Sequence, residues 1–257
     1  MILARITKAI REQNWFAVVL EFIIVISGVV IGFQVTGWAE SQAESERAEL
    51  YLDRLVDDME ENLQRFSDAH EFRASVRNLG EEALGFAAHP ETMTDSWRVV
   101  LAYFNASQAG GAELVSATYS EMVATGDFRL IDNLELRGQL SAYYSQTGLS
   151  QITEQLPAYR ESVRGLIPID YQNYIWVNCY DTLSARTQRV RDCDAPDDAP
   201  VSSLDALAQR LMQDDALNNQ LRFWVSTQFA ALAIHDSQVT ATADMLTSLR
   251  RARGDTE

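Results

Sequence analysis

Trp15–Trp38 reads WFAVVLEFIIVISGVVIGFQVTGW, and this stretch decides the architecture. As a helix rising about 1.5 Å per residue it spans roughly 35 Å, enough to cross a hydrocarbon core of about 30 Å. A tryptophan stands at each end, where an amphipathic ring favours the headgroup layer. Its only charge is Glu21. The expectation is a transmembrane anchor over residues 15–38, followed by a domain of a different character.

The flanks orient it. Arg5, Lys8 and Arg11 precede the span, against a single Glu12. After it come Glu40, Glu44, Glu46, Glu49, Asp53, Asp57, Asp58, Glu60 and Glu61, against Arg47 and Arg54. Excess positive charge stays on the cytoplasmic side. The expected topology is therefore a cytoplasmic N-terminus over 1–14, the anchor, and an extracytoplasmic domain over 39–257. A cleaved signal peptide is the rival reading, since Gly37-Trp38-Ala39 and Ser41-Gln42-Ala43 loosely resemble cleavage sites. The apolar run exceeds the roughly 7–15 residues usual in such a signal, which favours an uncleaved signal-anchor.

The chain has 257 residues, 47% apolar and 23% charged, which is ordinary for a folded protein and long enough for a sizeable core. Its formal net charge is −16, from 21 basic and 37 acidic residues. Such a surface repels phosphate backbones, and the densest basic cluster is Arg250, Arg251 and Arg253 at the far end. A nucleic-acid partner is not expected.

Past the span the chain reads as a mainly α bundle. Leu52, Val56, Met59, Leu63 and Phe66 repeat at spacings of four and three, and Phe72, Val76, Leu79, Ala83 and Phe86 resume the pattern after a slip near His70. His89-Pro90 ends it. Thr94 or Asp95 caps the next helix, through Trp97 and Phe104. Residues 112–125 read as helix with Gly126 as its stop, and Asp132 with Glu135 resembles a capping box. Gly148 and Pro157 bend or restart the following helix. Residues 168–200 read as irregular, with a short hairpin around Tyr174–Cys179, and helical periodicity returns over 203–251.

The passages LEFIIVISGVVIGFQVTGWAE, YLDRLVDDMEENL and SATYSEMVATGDFRLIDNLELRGQLSAYY together resemble a family of bacterial inner-membrane proteins known as a domain of unknown function. The resemblance covers roughly 15–65 and 116–144. It implies a bacterial inner-membrane location and a periplasmic helical domain, and it carries no catalytic residues.

Residues able to do chemistry are sparse. His70, His89 and His235 form no two-histidine metal motif. Asp68 and Glu71 neighbour His70 but would not face it on a helix, so a solvated face is the simpler reading. No phosphate loop, nucleophile elbow or C-x-x-C motif is present. No enzyme activity, metal or cofactor is expected. Tyr119, Tyr143, Tyr144, Trp97 and Phe104 could line a ligand pocket, but aromatics at helical spacing are more often core. Cys179 and Cys193, 14 positions apart, are expected to pair in an oxidising periplasm, with a redox switch as the alternative.

Within the span, Glu21, Gly28 and Gly32 fall within about 40° of one another at about 100° per residue. Gly28-x-x-x-Gly32 lets another helix approach closely, and an intramembrane acid points to function. The expected partners are the lipid bilayer and other envelope proteins or further copies of the chain. The function read from this is a membrane-anchored helical scaffold or accessory subunit. The alternative is a periplasmic ligand-sensing bundle that signals through a membrane partner.

Overall fold

No glycine or proline interrupts the chain between Trp38 and Gly80, so nothing local stops a helix begun in the apolar span. The computed structural model describes the backbone of residues 15–145, 156–182 and 188–254, and of these the side chains of all but 15–18, 21, 182 and 188. Helix α1 runs Trp15–Ala88 and ends at His89, before Pro90. The chain divides into two compact units, Met1–Tyr51 and Leu52–Glu257. Residues 1–14, which carry the basic flank, and Gly148, the expected bend, lie outside the described residues.

The helices after α1 are α2 (Ser96–Ala106), α3 (Ala117–Thr125), α4 (Leu134–Ser145), α5 (Ala158–Leu166), α6 (Ile169–Asn178), α7 (Val201–Gln213) and α8 (Asp215–Arg253). The class is mainly α, as expected. Boundaries follow local chemistry. Asp95 caps α2 by accepting a bond from the Trp97 amide at 2.9 Å. Gly126 ends α3 at φ 79°, a left-handed conformation that a side chain would strain. Pro157, Pro168 and Pro200 each stand just before a helix, where a missing amide costs nothing. Asp214 accepts from Leu217 at 2.9 Å and separates α7 from α8, dividing the single periodic stretch read over 203–251.

Three local expectations are corrected. Asn133, not Asp132, caps α4; its Oδ1 accepts from the amides of Glu135 and Leu136 at 3.0 and 3.1 Å. The helix expected over 112–125 begins only at Ala117. The segment expected to be irregular contains α6, and the hairpin falls later, as β1 (Tyr180–Thr182) against β2 (Gln188–Val190). The strands are antiparallel, pairing Tyr180 with Val190 and Asp181 with Arg189. Cys179 and Cys193 flank this hairpin and are bonded, with Cα atoms 5.2 Å apart.

The second unit is organised on two antiparallel helices. Pairs between α1 and α8 run in opposite directions along the chain: Asp53 with Arg253 at 3.3 Å, Glu60 with Arg250 at 2.7 Å, His70 with Asp236 at 3.1 Å and Arg73 with Gln228 at 3.0 Å. At Gly80 the contact is so close that a Cβ would lie 2.5 Å from Val225 Cγ2. Toward that end α2 is buried at every position except Arg98; it packs on α5 and α7, and α8 joins it where Tyr103 donates to Asn218 and Trp224 donates to the Ala106 carbonyl. A helix apolar on nearly all sides belongs inside. Tyr103, Phe104, Leu211, Leu221 and Trp224 fill this core. Toward the other end the chain before α3 is pinned to α1, since Asn62 both donates to the Val115 carbonyl at 3.0 Å and accepts from its amide at 2.6 Å.

Candidate functional site

Among the described residues, most of the exposed large apolar side chains belong to the first unit. Val19, Leu20, Phe22, Ile23, Ile24, Val25 and Ile26 follow almost without interruption, and all are exposed. Phe33 is 76% and Trp38 70% exposed, so no side of this stretch is turned inward. Among the described residues, α1 is the one helix long and apolar enough to cross a membrane, a property that signal sequences share. A Cβ at Gly28 or Gly32 would meet nothing within 4 Å, which leaves this edge of the helix open. The Glu21 side chain lies outside the described residues. Thr36 donates its hydroxyl to the Gly32 carbonyl at 3.0 Å, satisfying a polar group within the helix.

In the second unit the histidines do not converge. His89 is exposed beside Glu91 at 3.3 Å. His70, expected on a solvated face, is half-buried and reaches across to Asp236 of α8. His235 is buried, its Nδ1 is 2.9 Å from Gln238 Oε1, and its Nε2 has no hydrogen-bond partner. Burial, and then the nearby Arg73 guanidinium, push its pKa down to about 4. Burial likewise lowers Arg73 to about 10. At neutral pH this is a charged arginine beside a neutral imidazole, an arrangement that suits packing rather than proton transfer near pH 7. Among the described residues no group of three or more His, Cys, Asp or Glu side chains converges as a metal would require.

The aromatics fall into two separate clusters. Trp97 meets Tyr171 and Tyr174 edge-on at ring distances of 5.9 and 5.8 Å, and Phe104 meets Trp176 at 5.7 Å. Elsewhere Tyr119 stacks on Tyr144 at 4.2 Å, and the Tyr143 hydroxyl meets Thr242 at 2.9 Å. Trp97, Phe104 and Tyr144 are core residues rather than pocket walls. Trp97 Nε1 donates to the Cys193 carbonyl at 3.0 Å, so the disulfide sits over the same core. A broad cleft of about 830 Å³ opens between the start of α5 and α8. Pro157, Tyr159, Gln220 and Trp224 line it, with Phe223 and Leu156 at its exposed rim.

No family model, curated protein or solved structure matches this chain.

Proposed function

We propose that this chain is a membrane-anchored scaffold or accessory subunit of a bacterial envelope. In this reading residues 15–38 cross the inner membrane with the N-terminus in the cytoplasm. The helical domain is periplasmic and works by contact with other envelope proteins or with copies of itself. The observation that carries the reading is the apolar stretch of α1, whose described side chains between Val19 and Trp38 are all exposed. Water would charge heavily for that surface, whereas lipid or a neighbouring helix would cover it. The Cys179–Cys193 disulfide supports an oxidising compartment for the domain. The charge change across the span supports the orientation.

The second reading, a periplasmic ligand-sensing bundle, draws on the cleft beside α8. In this reading the output passes through a membrane partner.

Helix association and passive anchoring separate at Gly28 and Gly32. Replacing both with Ile keeps the span apolar and adds bulk only at the open glycine edge. The expected outcome is a smaller native complex in mild detergent and a weaker membrane two-hybrid signal. If neither changes, the span is a tether and any partner binds the domain. Alkaline phosphatase fused after Glu257 tests the topology, and an inactive, well-expressed fusion would refute it.

A further inference from the structure

Arg160 and Arg164 stand one turn apart on α5, both half-buried, and neither has a carboxylate partner among the described residues. In a chain with 37 acids against 21 bases, two such arginines side by side call for an explanation. Arg98, at similar depth, shows the ordinary solution. Its Nε donates to Glu82 at 2.7 Å, and Asp192 binds its Nη1, so the charge is held on both sides. The arginines of α8 that face α1 likewise have acids, Arg250 with Glu60 and Arg253 with Asp53.

Around the α5 pair the acceptors are neutral. Arg160 Nη1 donates to the Ser107 carbonyl at 2.9 Å and to Gln108 Oε1 at 3.0 Å. Arg164 Nη2 donates to the same Gln108 oxygen at 3.1 Å, and its Nε to Ser107 Oγ at 3.4 Å. One amide oxygen thus bridges two guanidiniums, which orients them without neutralising either. Arg164 is further held over the rings of Phe104 and Trp176, at 5.0 and 5.2 Å. Tyr180, only 7% exposed, packs its ring 4.8 Å from Trp176 and lies within the field of both guanidiniums. Its hydroxyl is buried with no hydrogen-bond partner, and so is Gln108 Nε2. Two fixed cations and two buried polar groups without partners among the described residues thus lie close together. Burial, and then the neighbouring Arg160 charge, lower the pKa of Arg164 to about 10.

We propose that Arg160 and Arg164, with Gln108 and Tyr180 beside them, form a binding site for an oxyanion, the phosphate group of a ligand. Guanidinium donors match such a group in charge and in the spacing of its oxygens. The buried ring of Phe104 and the half-buried ring of Trp176 beneath Arg164 lower the local dielectric and strengthen the attraction. The site is independent of how the chain is held at a membrane. A phosphate group has two sources here, a free phosphate and a lipid headgroup, and the test separates them.

The full chain in an uncharged detergent is unfolded thermally while inorganic phosphate replaces chloride at constant ionic strength. A parallel arm compares nanodiscs of phosphatidylglycerol with nanodiscs of phosphatidylcholine. A saturable rise in Tm of about 3–6 °C is expected at tenfold excess over Kd. R160Q/R164Q should abolish it. Q108E places a permanent carboxylate where the bridging amide oxygen lies, so it should raise Tm without added anion and remove the response. This second variant keeps the test valid if the double arginine variant folds poorly. A response in either arm that both variants abolish sustains the site and names the source. No response in either arm, or one that survives Q108E, overturns it.

Discussion

Residues 19–38 and 52–83 belong to one helix, yet they solve opposite problems. In the first stretch consecutive apolar side chains are exposed on every side. In the second, Leu55, Val56, Met59, Phe66, Val76, Leu79 and Ala83 are buried while Asp57, Glu60 and Glu61 between them face solvent. The backbone conformation is the same throughout, so the difference lies in how apolar residues are distributed around the helix. A stripe is the signature of a helix that packs against its own chain; an unbroken belt belongs to a helix whose neighbours lie outside it.

Matched truncations are the strongest way to break that comparison. Leu55 is fully buried, and Leu55→Ala should cost about 2–5 kcal/mol by lost transfer energy and the cavity left behind. For a domain of this size that lowers Tm by about 5–15 °C. Val29, 54% exposed, supports none of that core, so Val29→Ala should leave the Tm of the domain unchanged. Calorimetry or circular dichroism in detergent measures both. Equal losses from the two variants would mean that the first stretch is part of the folded core after all.

A charge sharpens the same contrast in a different assay. Arginine near the middle of a membrane span costs about 2.5–3.5 kcal/mol on insertion scales. Val29→Arg should therefore shift much of the chain out of carbonate-washed membranes, whereas Asp57→Arg, on the exposed side of the second stretch, should not. Full retention of the Val29→Arg variant would count against the anchor.

The sequence exposed much of this division, because belt and stripe are both patterns of apolar residues. Val56, Met59, Phe66, Val76, Leu79 and Ala83 were legible from their spacing, while Leu52, Leu63, Phe72 and Phe86 proved only half-buried. The disulfide partners were legible because there were only two cysteines. What spacing hides is polar burial. Asn62 and Arg73 occupy the inward face of α1, one satisfied by the Val115 backbone and the other donating to Gln228, and both contacts join residues far apart in the chain. The α5 arginines were missed for the same reason. Arg160 and Arg164 look like surface residues until Ser107, Gln108 and Tyr180 are folded around them. Helix caps at Asn133 and the placement of β1 and β2 turned on differences of a few residues, where several polar neighbours were equally good candidates.

The slip in the stripe near His70 yields the smallest and most specific effect. There the facing residues are Arg73 and His70 of α1 with Gln228, His235, Asp236 and Gln238 of α8. His235 titrates at about 4 in the folded chain, against about 6.5 unfolded, because burial and the Arg73 charge disfavour the imidazolium. Between those values the unfolded chain binds more protons, so stability rises with pH across this window. The contribution is fully present above about pH 6.5, falls away as pH drops toward 4, and changes no further below that. His235→Gln removes the titration while keeping a side chain able to bond Gln238. Between pH 7 and pH 4.5 the unaltered chain should lose roughly 1–3 kcal/mol more than the variant, read as the difference between their Tm shifts. Carboxylates titrating in the same range act in both proteins and cancel in that difference. Parallel curves would show that His235 is reached by water in the folded state, and that the second stretch of α1 is less sealed against α8 than its stripe implies.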